Sequence, residues 1–191
     1  HVQDDISAKE ASFAKMYRPG AALVIYSNAR EEIWRIADPT FVVDGEAHEK
    51  HLNASKPRVL MRRFLIEMKL AMGMTESDIV KHDSTPTDIS PLLEDGKVFV
   101  NNTHPEFGYA VMNGTLIPKS LIEVFPVLEA KEIILASDGY PKTLSTVAES
   151  EAYLQRVITA DPLMYKIHPG PKGVTGGNIS YDDRAYVRFR V

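Results

Sequence analysis

The sequence has no cysteine among its 191 residues. That absence excludes disulfide bonds, thiolate zinc sites and cysteine nucleophiles. No apolar run approaches the roughly 20 residues that cross a bilayer. There is no excess of basic residues either, since the sequence has 22 Lys and Arg but 26 Asp and Glu, which gives a formal net charge of -4. Because no global positive field attracts nucleic acid or anionic lipid, we expect a cytoplasmic protein without nucleic-acid or membrane partners.

The numbers of glycine and proline residues are modest, 11 and 12, and these residues are scattered along the chain. The sequence is therefore neither collagen-like nor a low-complexity tail. Apolar residues make up 44% and charged residues 25%, which is typical of a globular protein. A chain of this length fits one domain with a sizeable core, and we expect a single domain over residues 1–191.

Short apolar runs separated by turn residues predict strands along most of the chain. Residues 21–26 and 31–36 flank a polar turn and predict a hairpin. A third strand over 41–43 runs into the turn dipeptide Asp44-Gly45. Later runs predict strands over 97–100, 108–112, 121–127, 132–136 and 184–191.

Two segments have helical periodicity. In residues 58–72 an apolar residue recurs every four positions, which predicts a helix whose core-facing stripe is Leu60, Phe64, Met68 and Met72. The arginines of this helix, Arg58, Arg62 and Arg63, are predicted on its solvated face. A second helix is predicted over 146–160, with shorter helical segments after Thr75 and within 87–93. The order of sheet, helices, sheet, helix and sheet predicts an α+β fold with largely antiparallel strands.

Acidic residues stand at the ends of two predicted strands. Asp138 follows an apolar strand and precedes Gly139, and Asp182 and Asp183 directly precede the last strand. Carboxylates fixed at strand ends are hard oxygen ligands suited to Mg²⁺ or Mn²⁺. The same residues also fit ordinary turns, since Asp-Gly after a strand and Asp-Asp in a solvated loop are common.

These motifs resemble those of the metal-dependent protein phosphatases of the phosphatase 2C type. In that family an apolar strand runs into Ser/Thr-Asp-Gly, as in residues 133–141, IILASDGYP. A Ser-x-Asp-Asn motif follows about forty residues later before a final strand, as in residues 180–183, SYDD. Upstream, residues 33–46, IWRIADPTFVVDGE, resemble the family's Gly-Asp hairpin. The resemblance covers roughly residues 21–191.

The resemblance implies a fold, a site and an activity. The fold would be an antiparallel β-sandwich flanked by helices, in α/β/β/α layers. Asp138 and Asp182 match the family's metal ligands, with Asp38, Gly139 and Asp183 in supporting positions. Two Mn²⁺ or Mg²⁺ ions would activate a water that attacks a phosphoprotein or a small phosphoester.

The sequence also departs from the family pattern. Ala37 stands where the family has glycine, and Asp183 stands where it has asparagine. The family's early metal-bridging Asp-Gly is not found before the first hairpin, so we expect an N-terminal segment that is truncated or gapped. Three interpretations follow: an active serine/threonine phosphatase, a catalytically inactive regulatory or scaffolding protein of the same fold, or a small-ligand-binding protein whose acidic turns are structural.

Overall fold

The computed structural model describes residues 18–175 and 177–191, in which seven strands form two antiparallel sheets. The first sheet has the order β1-β2-β5 and the second the order β4-β3-β6-β7. The strands are β1 (Leu23–Ser27), β2 (Glu32–Ile36), β3 (Thr40–Val43), β4 (Glu46–His48), β5 (Glu123–Pro126), β6 (Glu132–Ala136) and β7 (Tyr186–Arg190). The predicted first hairpin is confirmed as the antiparallel pair β1–β2. The chain leaves the first sheet after β2 and enters the second at β3.

The predicted Asp44-Gly45 turn is confirmed as a two-residue hairpin loop between β3 and β4. Both residues have positive φ, 48° for Asp44 and 90° for Gly45, as the favoured hairpin turn requires. The Asp44 carboxylate also accepts hydrogen bonds from the backbone N–H groups of Lys131 and Glu132, at 3.0 and 2.8 Å. This turn therefore fixes the start of β6 as well as its own hairpin.

Side chains from both sheets share one core cluster. Ile33 of β2, Phe41 of β3 and Ile133 of β6 are fully buried in it. Neighbouring strand residues point to opposite faces of a sheet, and Ile134, next to Ile133, is buried too. Strand β6 is thus covered on both faces, which makes its carboxyl end a rigid place from which to present a side chain.

The helices lie between the strands in sequence. They are α1 (Lys56–Ala71), α2 (Glu76–Lys81), α3 (Thr85–Asp88), α4 (Ser90–Asp95) and α5 (Val147–Ala160). Capping boxes begin α2 at Thr75, as predicted, and α5 at Thr146. The described residues therefore have an α+β fold, as predicted. No helix among them is both long enough and apolar enough to span a membrane.

The predicted orientation of α1 is wrong. Leu60, Phe64 and Met72 of the expected core stripe are 65%, 62% and 77% exposed, whereas Arg62 and Ile66 are fully buried. Arg62 can be buried because Asp83 pairs with its guanidinium at 2.7 Å and backbone carbonyls accept hydrogen bonds from its Nη1. Arg62, which was expected on the solvated face, therefore lies on the inner face of the helix.

Two predicted strands are not strands. Gly96–Phe99 forms a 3₁₀ helix, and residues 108–112 make only isolated bridges, between Val100 and Tyr109 and between Ala21 and Met112. The reason is local, because Asn101 adopts φ 53° and its side chain bonds to Val111 in place of a strand ladder. The predicted strand over 121–127 is confirmed over the shorter range of β5.

Candidate metal centre

The register of the second sheet brings Asp38 and Asp138 to the same edge. Thr40 of β3 pairs with Ala136 of β6 in antiparallel register. Asp38 precedes Thr40 by two residues and Asp138 follows Ala136 by two, so the extended register sets the two aspartates opposite each other. Sequence order alone does not show this, because a hundred residues separate them.

The last strand brings the second acidic motif to the same edge. Tyr186 of β7 pairs with Ala136, and the Ser137 N–H donates to the Ala185 carbonyl at 3.1 Å. The Ser137 hydroxyl accepts a hydrogen bond from the Ala185 N–H at 2.9 Å. The loop that carries Asp182 is therefore anchored beside Asp138.

Gly139 allows the two acidic loops to touch. A Cβ atom placed on Gly139 would lie 2.1 Å from the carbonyl oxygen of Asp183 and 3.0 Å from the Cβ of Arg184. Contacts below 3.0 Å are not tolerated, and the first of these is with backbone. The glycine of the Asp-Gly motif is thus required by the contact between the two loops.

Burial and a neighbouring carboxylate raise the pKa of two of these aspartates, Asp38 and Asp138. Burial, followed by the charge of Asp138, raises the pKa of Asp38 to about 6. Burial, followed by the charge of Asp182, raises the pKa of Asp138. Lys50 and His51 act in the opposite direction on the pKa of Asp38. Asp38, Asp138 and Asp182 thus form a row of like charges, an arrangement that a bound cation would relieve.

Lys172 supplies one positive charge to this row. Its ammonium donates to Asp182 Oδ1 at 2.8 Å, and its charge lowers the pKa of Asp138. Lys172 belongs to the glycine-rich segment that begins at His168, and the ion pair places this part of the segment beside Asp182. The Asp183 N–H also donates to Asp182 Oδ1, at 2.9 Å, so this oxygen accepts two hydrogen bonds.

Sequence reasoning missed the support of this site from α5. Glu151 of α5 accepts two hydrogen bonds from the Arg184 guanidinium, at 2.6 and 2.8 Å, and one from the Tyr140 hydroxyl at 2.7 Å. Tyr140 follows Gly139, and Arg184 follows Asp183, so one glutamate ties both acidic loops to the helix. The only sequence signal is that each motif is flanked by a residue able to donate to a carboxylate.

A cavity of about 560 Å³ opens beside the Asp182 loop. It is lined by Tyr140, Glu151, Lys172 and the segment 178–184. Its lining includes Asp182 and Asp183 but not Asp138. The cavity is mostly polar in its residues, and it could admit a charged group next to Asp182.

The residues at this edge fit a divalent cation in donor type and charge. Among residues 18–175 and 177–191, no three His, Asp or Glu side chains lie close enough together to form a complete ligand group. Mg²⁺, however, commonly keeps several waters and takes one or two carboxylates together with substrate phosphate. Asp138 and Asp182 can provide that pair of hard oxygen ligands, with Asp38 beside them.

Ala37, the residue before Asp38, has an unusual backbone conformation. Its φ is 67°, and its side chain is buried. Non-glycine residues enter this left-handed region at a cost of about 1–2 kcal/mol. This is the position at which the resembling family has glycine, the residue that enters this region without a steric cost.

We predict that Asp38 makes a contribution to the stability of the metal-free protein that is lost as pH rises from about 4 to 6. The Asp38 carboxyl has a pKa of about 6 in the folded state against 3.8 as its ordinary value. Between these values the folded state binds more protons than the unfolded state, so the free energy of unfolding decreases with pH. The full difference corresponds to at most about 3 kcal/mol, and less where water reaches the group.

Urea unfolding in EDTA at pH 4, 5, 6 and 7 measures this dependence. Asp38→Asn should flatten the profile over that interval. An unchanged profile in the variant would mean that Asp38 is ordinarily ionised in the folded protein.

Comparisons of the chain with protein-family models, with curated proteins and with solved structures found no match. The function is therefore argued from the geometry of this site and the motifs that compose it.

Proposed function

We propose that this protein is a metal-dependent phosphoester hydrolase of the phosphatase 2C type, acting on phosphoserine or phosphothreonine in proteins or on a small phosphoester. One observation carries the proposal: the sheet register gathers Asp38, Asp138 and Asp182 at one edge, where burial and a neighbouring carboxylate raise the pKa of Asp38 and of Asp138. Turns that serve only the fold would not need three carboxylates at one edge, where burial and neighbouring charge oppose the ionisation of Asp38 and Asp138.

In this proposal Asp138 and Asp182 hold a divalent cation, Mn²⁺ or Mg²⁺, with two ions expected in an active enzyme. The bound metal would lower the pKa of water and polarise the phosphoryl oxygens. Asp38 orients water or ligands from the opposite strand. Lys172, now paired with Asp182, can donate instead to a phosphoryl oxygen of a substrate in the adjacent cavity. Glu151 keeps both acidic loops in place.

The arrangement of elements supports the finer fold assignment, an α/β/β/α sandwich of the phosphatase 2C type. Both sheets contribute side chains to one core cluster, and β6 is buried on both of its faces. The left-handed backbone at Ala37 agrees with the family's glycine. Only glycine fits at position 139, because a Cβ atom there would clash with the backbone of Asp183. This contact gives a physical reason for the family's Asp-Gly and Ser-x-Asp motifs to occur together.

The proposal is tested by the hydrolysis of p-nitrophenyl phosphate by the full-length protein with Mn²⁺, Mg²⁺ or EDTA. We expect turnover that requires the metal and returns when metal is added back after chelation. Turnover that persists in EDTA would contradict a metal-dependent mechanism. Calorimetric titration with Mn²⁺ gives an independent measure of binding.

The second candidate is a catalytically inactive regulatory or scaffolding protein of the same fold. The Lys172–Asp182 ion pair favours it, because a lysine ammonium already neutralises one of the expected ligands. This candidate predicts no hydrolysis by the folded full-length protein, and weak binding of a single ion or none. Mn²⁺ binding together with turnover would exclude it.

A further inference from the structure

The protein has a second cavity, with a volume of about 660 Å³. It is lined by Arg18, Gly20 and parts of the segments 94–100 and 109–115. No residue in the described part of the chain lines both this cavity and the one beside Asp182. Clefts of this size are typical of ligand-binding sites, and the chemistry proposed above makes no use of this one.

Strand pairing sets the second cavity beside Asp38. In the β1–β2 pair, Leu23 lies opposite Ile36, which is two residues before Asp38. Two residues before Leu23, Ala21 forms an antiparallel bridge with Met112 through two hydrogen bonds of 3.0 Å. The cavity-lining residues next to this bridge are Gly20 and Val111. The cavity therefore opens where the chain passes from the first sheet to the second, which is the position of Asp38.

The electrostatics of Tyr109, another lining residue, agree with this placement. Burial raises the pKa of its hydroxyl. Arg58 and Lys97 lower this pKa, whereas the charge of Asp38 raises it. Because the interaction of two charges weakens with distance, Tyr109 and Asp38 lie near each other. Tyr109 thus lies between the second cavity and the candidate metal centre.

The two cavities flank the row of carboxylates. The sheet order β3-β6-β7 puts Asp138 between Asp38 and Asp182, and Asp182 lines the first cavity. A ligand that sets a phosphoryl group at the row and fills both cavities must extend from that group in two directions. A phosphorylated side chain in the middle of a peptide does so, because the peptide continues before and after it. A small phosphoester with one organic group can fill only one cavity.

The lining of the second cavity also suits a peptide. Three valines offer apolar contact, of which Val98 is 65% exposed. Arg18 and Lys97 bring positive charge, and Glu94 and Asp95 bring negative charge. A peptide presents apolar side chains, N–H donors and carbonyl acceptors together, so it can use all of these groups. A uniformly anionic ligand such as a nucleotide would be repelled by the two carboxylates.

We propose that the substrate is a phosphopeptide segment of a protein, whose phosphorylated side chain reaches the carboxylate row and whose flanking residues occupy the two cavities. This inference rests on the proposed function, and it decides between the two substrate classes left open there. The occupation of the cavities can be measured by binding alone, without turnover.

Three short fluorescein-labelled peptides test this placement. Each carries a phosphonate analogue of phosphothreonine, in which a methylene group replaces the ester oxygen so that no hydrolysis occurs, at its first, middle or last position. Alanine, valine and lysine make up the rest. With the full chain and Mn²⁺, fluorescence anisotropy should give the middle version a Kd at least about tenfold below that of either end version, because only the middle version has residues for both cavities.

Val98→Glu tests the second cavity directly. It places a charge on an apolar wall, so it should raise the Kd of the middle version at least about fivefold. It should leave unchanged the end version whose residues lie only in the first cavity. Leu128→Glu is the matched control, because Leu128 is 68% exposed and lines neither cavity. Circular dichroism shows whether each variant is folded.

The outcomes separate this inference from the proposed function. Equal Kd values for the three peptides, or no more effect from Val98→Glu than from Leu128→Glu, overturn the inference. If p-nitrophenyl phosphate is then still hydrolysed with Mn²⁺, the proposed function stands and the substrate is a small phosphoester. If the middle peptide is preferred but p-nitrophenyl phosphate is not hydrolysed, phosphopeptide binding in the two cavities is supported and the proposed hydrolase activity fails.

Discussion

Replacing Arg62 with methionine is expected to lower the free energy of unfolding by about 3–5 kcal/mol, the usual result of breaking a buried ion pair from one side. Arg62 is fully buried, and its partner Asp83 is nearly so. Methionine can fill much of the same volume, so the loss is chiefly electrostatic. The substitution leaves the Asp83 carboxylate without its counter-charge.

The guanidinium also organises the segment that leads to the candidate site. Its Nη1 donates to the carbonyl of Leu163 at 2.6 Å and to that of Gly170 at 3.2 Å. The Asp161 carboxylate, at the start of this segment, accepts hydrogen bonds from the N–H groups of Tyr165 and Ile167, at 3.0 and 2.8 Å. Loss of Arg62 would therefore loosen the chain just before Lys172 as well as destabilise the fold.

Urea unfolding at a fixed protein concentration measures the effect of Arg62→Met. Arg156→Met is the matched control, since Arg156 is an exposed residue of α5 whose guanidinium lies over the ring of Tyr153. It should change stability by less than about 0.5 kcal/mol. The double variant Arg62→Met with Asp83→Asn should recover part of the loss, because no buried carboxylate is then left unpaired. Equal effects of Arg62→Met and Arg156→Met would show that the buried pair contributes little.

The same arginine shows where reasoning from sequence fails. The period of Leu60, Phe64 and Met68 correctly predicts a helix, because periodicity depends only on local geometry. It does not identify the inner face, because an arginine is buried only where distant groups neutralise it. Those groups are Asp83 and the carbonyls near residue 163, and their positions depend on the tertiary fold.

The candidate site was more predictable than the helix faces. Asp138 and Asp182 could be selected because each stands at the end of an apolar strand, where backbone geometry fixes a side chain. Their approach to each other and to Asp38 depends on which strands pair and in what register, and composition and spacing do not contain that information. The ion pair of Lys172 and the two-loop clamp of Glu151 arise from the same long-range pairing. The resemblance to the phosphatase motifs also selects Asp138 and Asp182 and stays a prediction, whereas the sheet register is the physical cause that brings these residues to one edge.

Asp138→Asn is expected to abolish metal-dependent hydrolysis and, in the absence of metal, to stabilise the protein. Loss of a residue that merely supports a metal ligand typically costs 10–100-fold in affinity or activity, so loss of a ligand itself should cost about 100-fold or more. Mn²⁺ binding measured by calorimetry should weaken in parallel. Asp95→Asn, a change to an exposed aspartate at the end of α4, is the matched control and should leave both unchanged.

The predicted stabilisation follows from the sign of the pKa shift. Burial and the charge of Asp182 raise the pKa of Asp138 above its ordinary value. The folded protein therefore holds the ionised form at pH 7 less favourably than the unfolded chain does, and removing the charge increases the free energy of unfolding. Asparagine keeps the size of the side chain, so the packing around it is preserved. The midpoint of urea unfolding in EDTA should rise for Asp138→Asn.

The two measurements together separate a functional carboxylate from a structural one. If Asp138 served only its turn, its replacement would lower the free energy of unfolding of the protein and would leave Mn²⁺ binding unchanged. If Asp138 is a metal ligand, its charge destabilises the metal-free fold. Its replacement then raises the free energy of unfolding and removes Mn²⁺ binding. Should Asp138→Asn keep full Mn²⁺-dependent turnover, Asp138 would not be a ligand, and the row of carboxylates at this sheet edge would need another explanation.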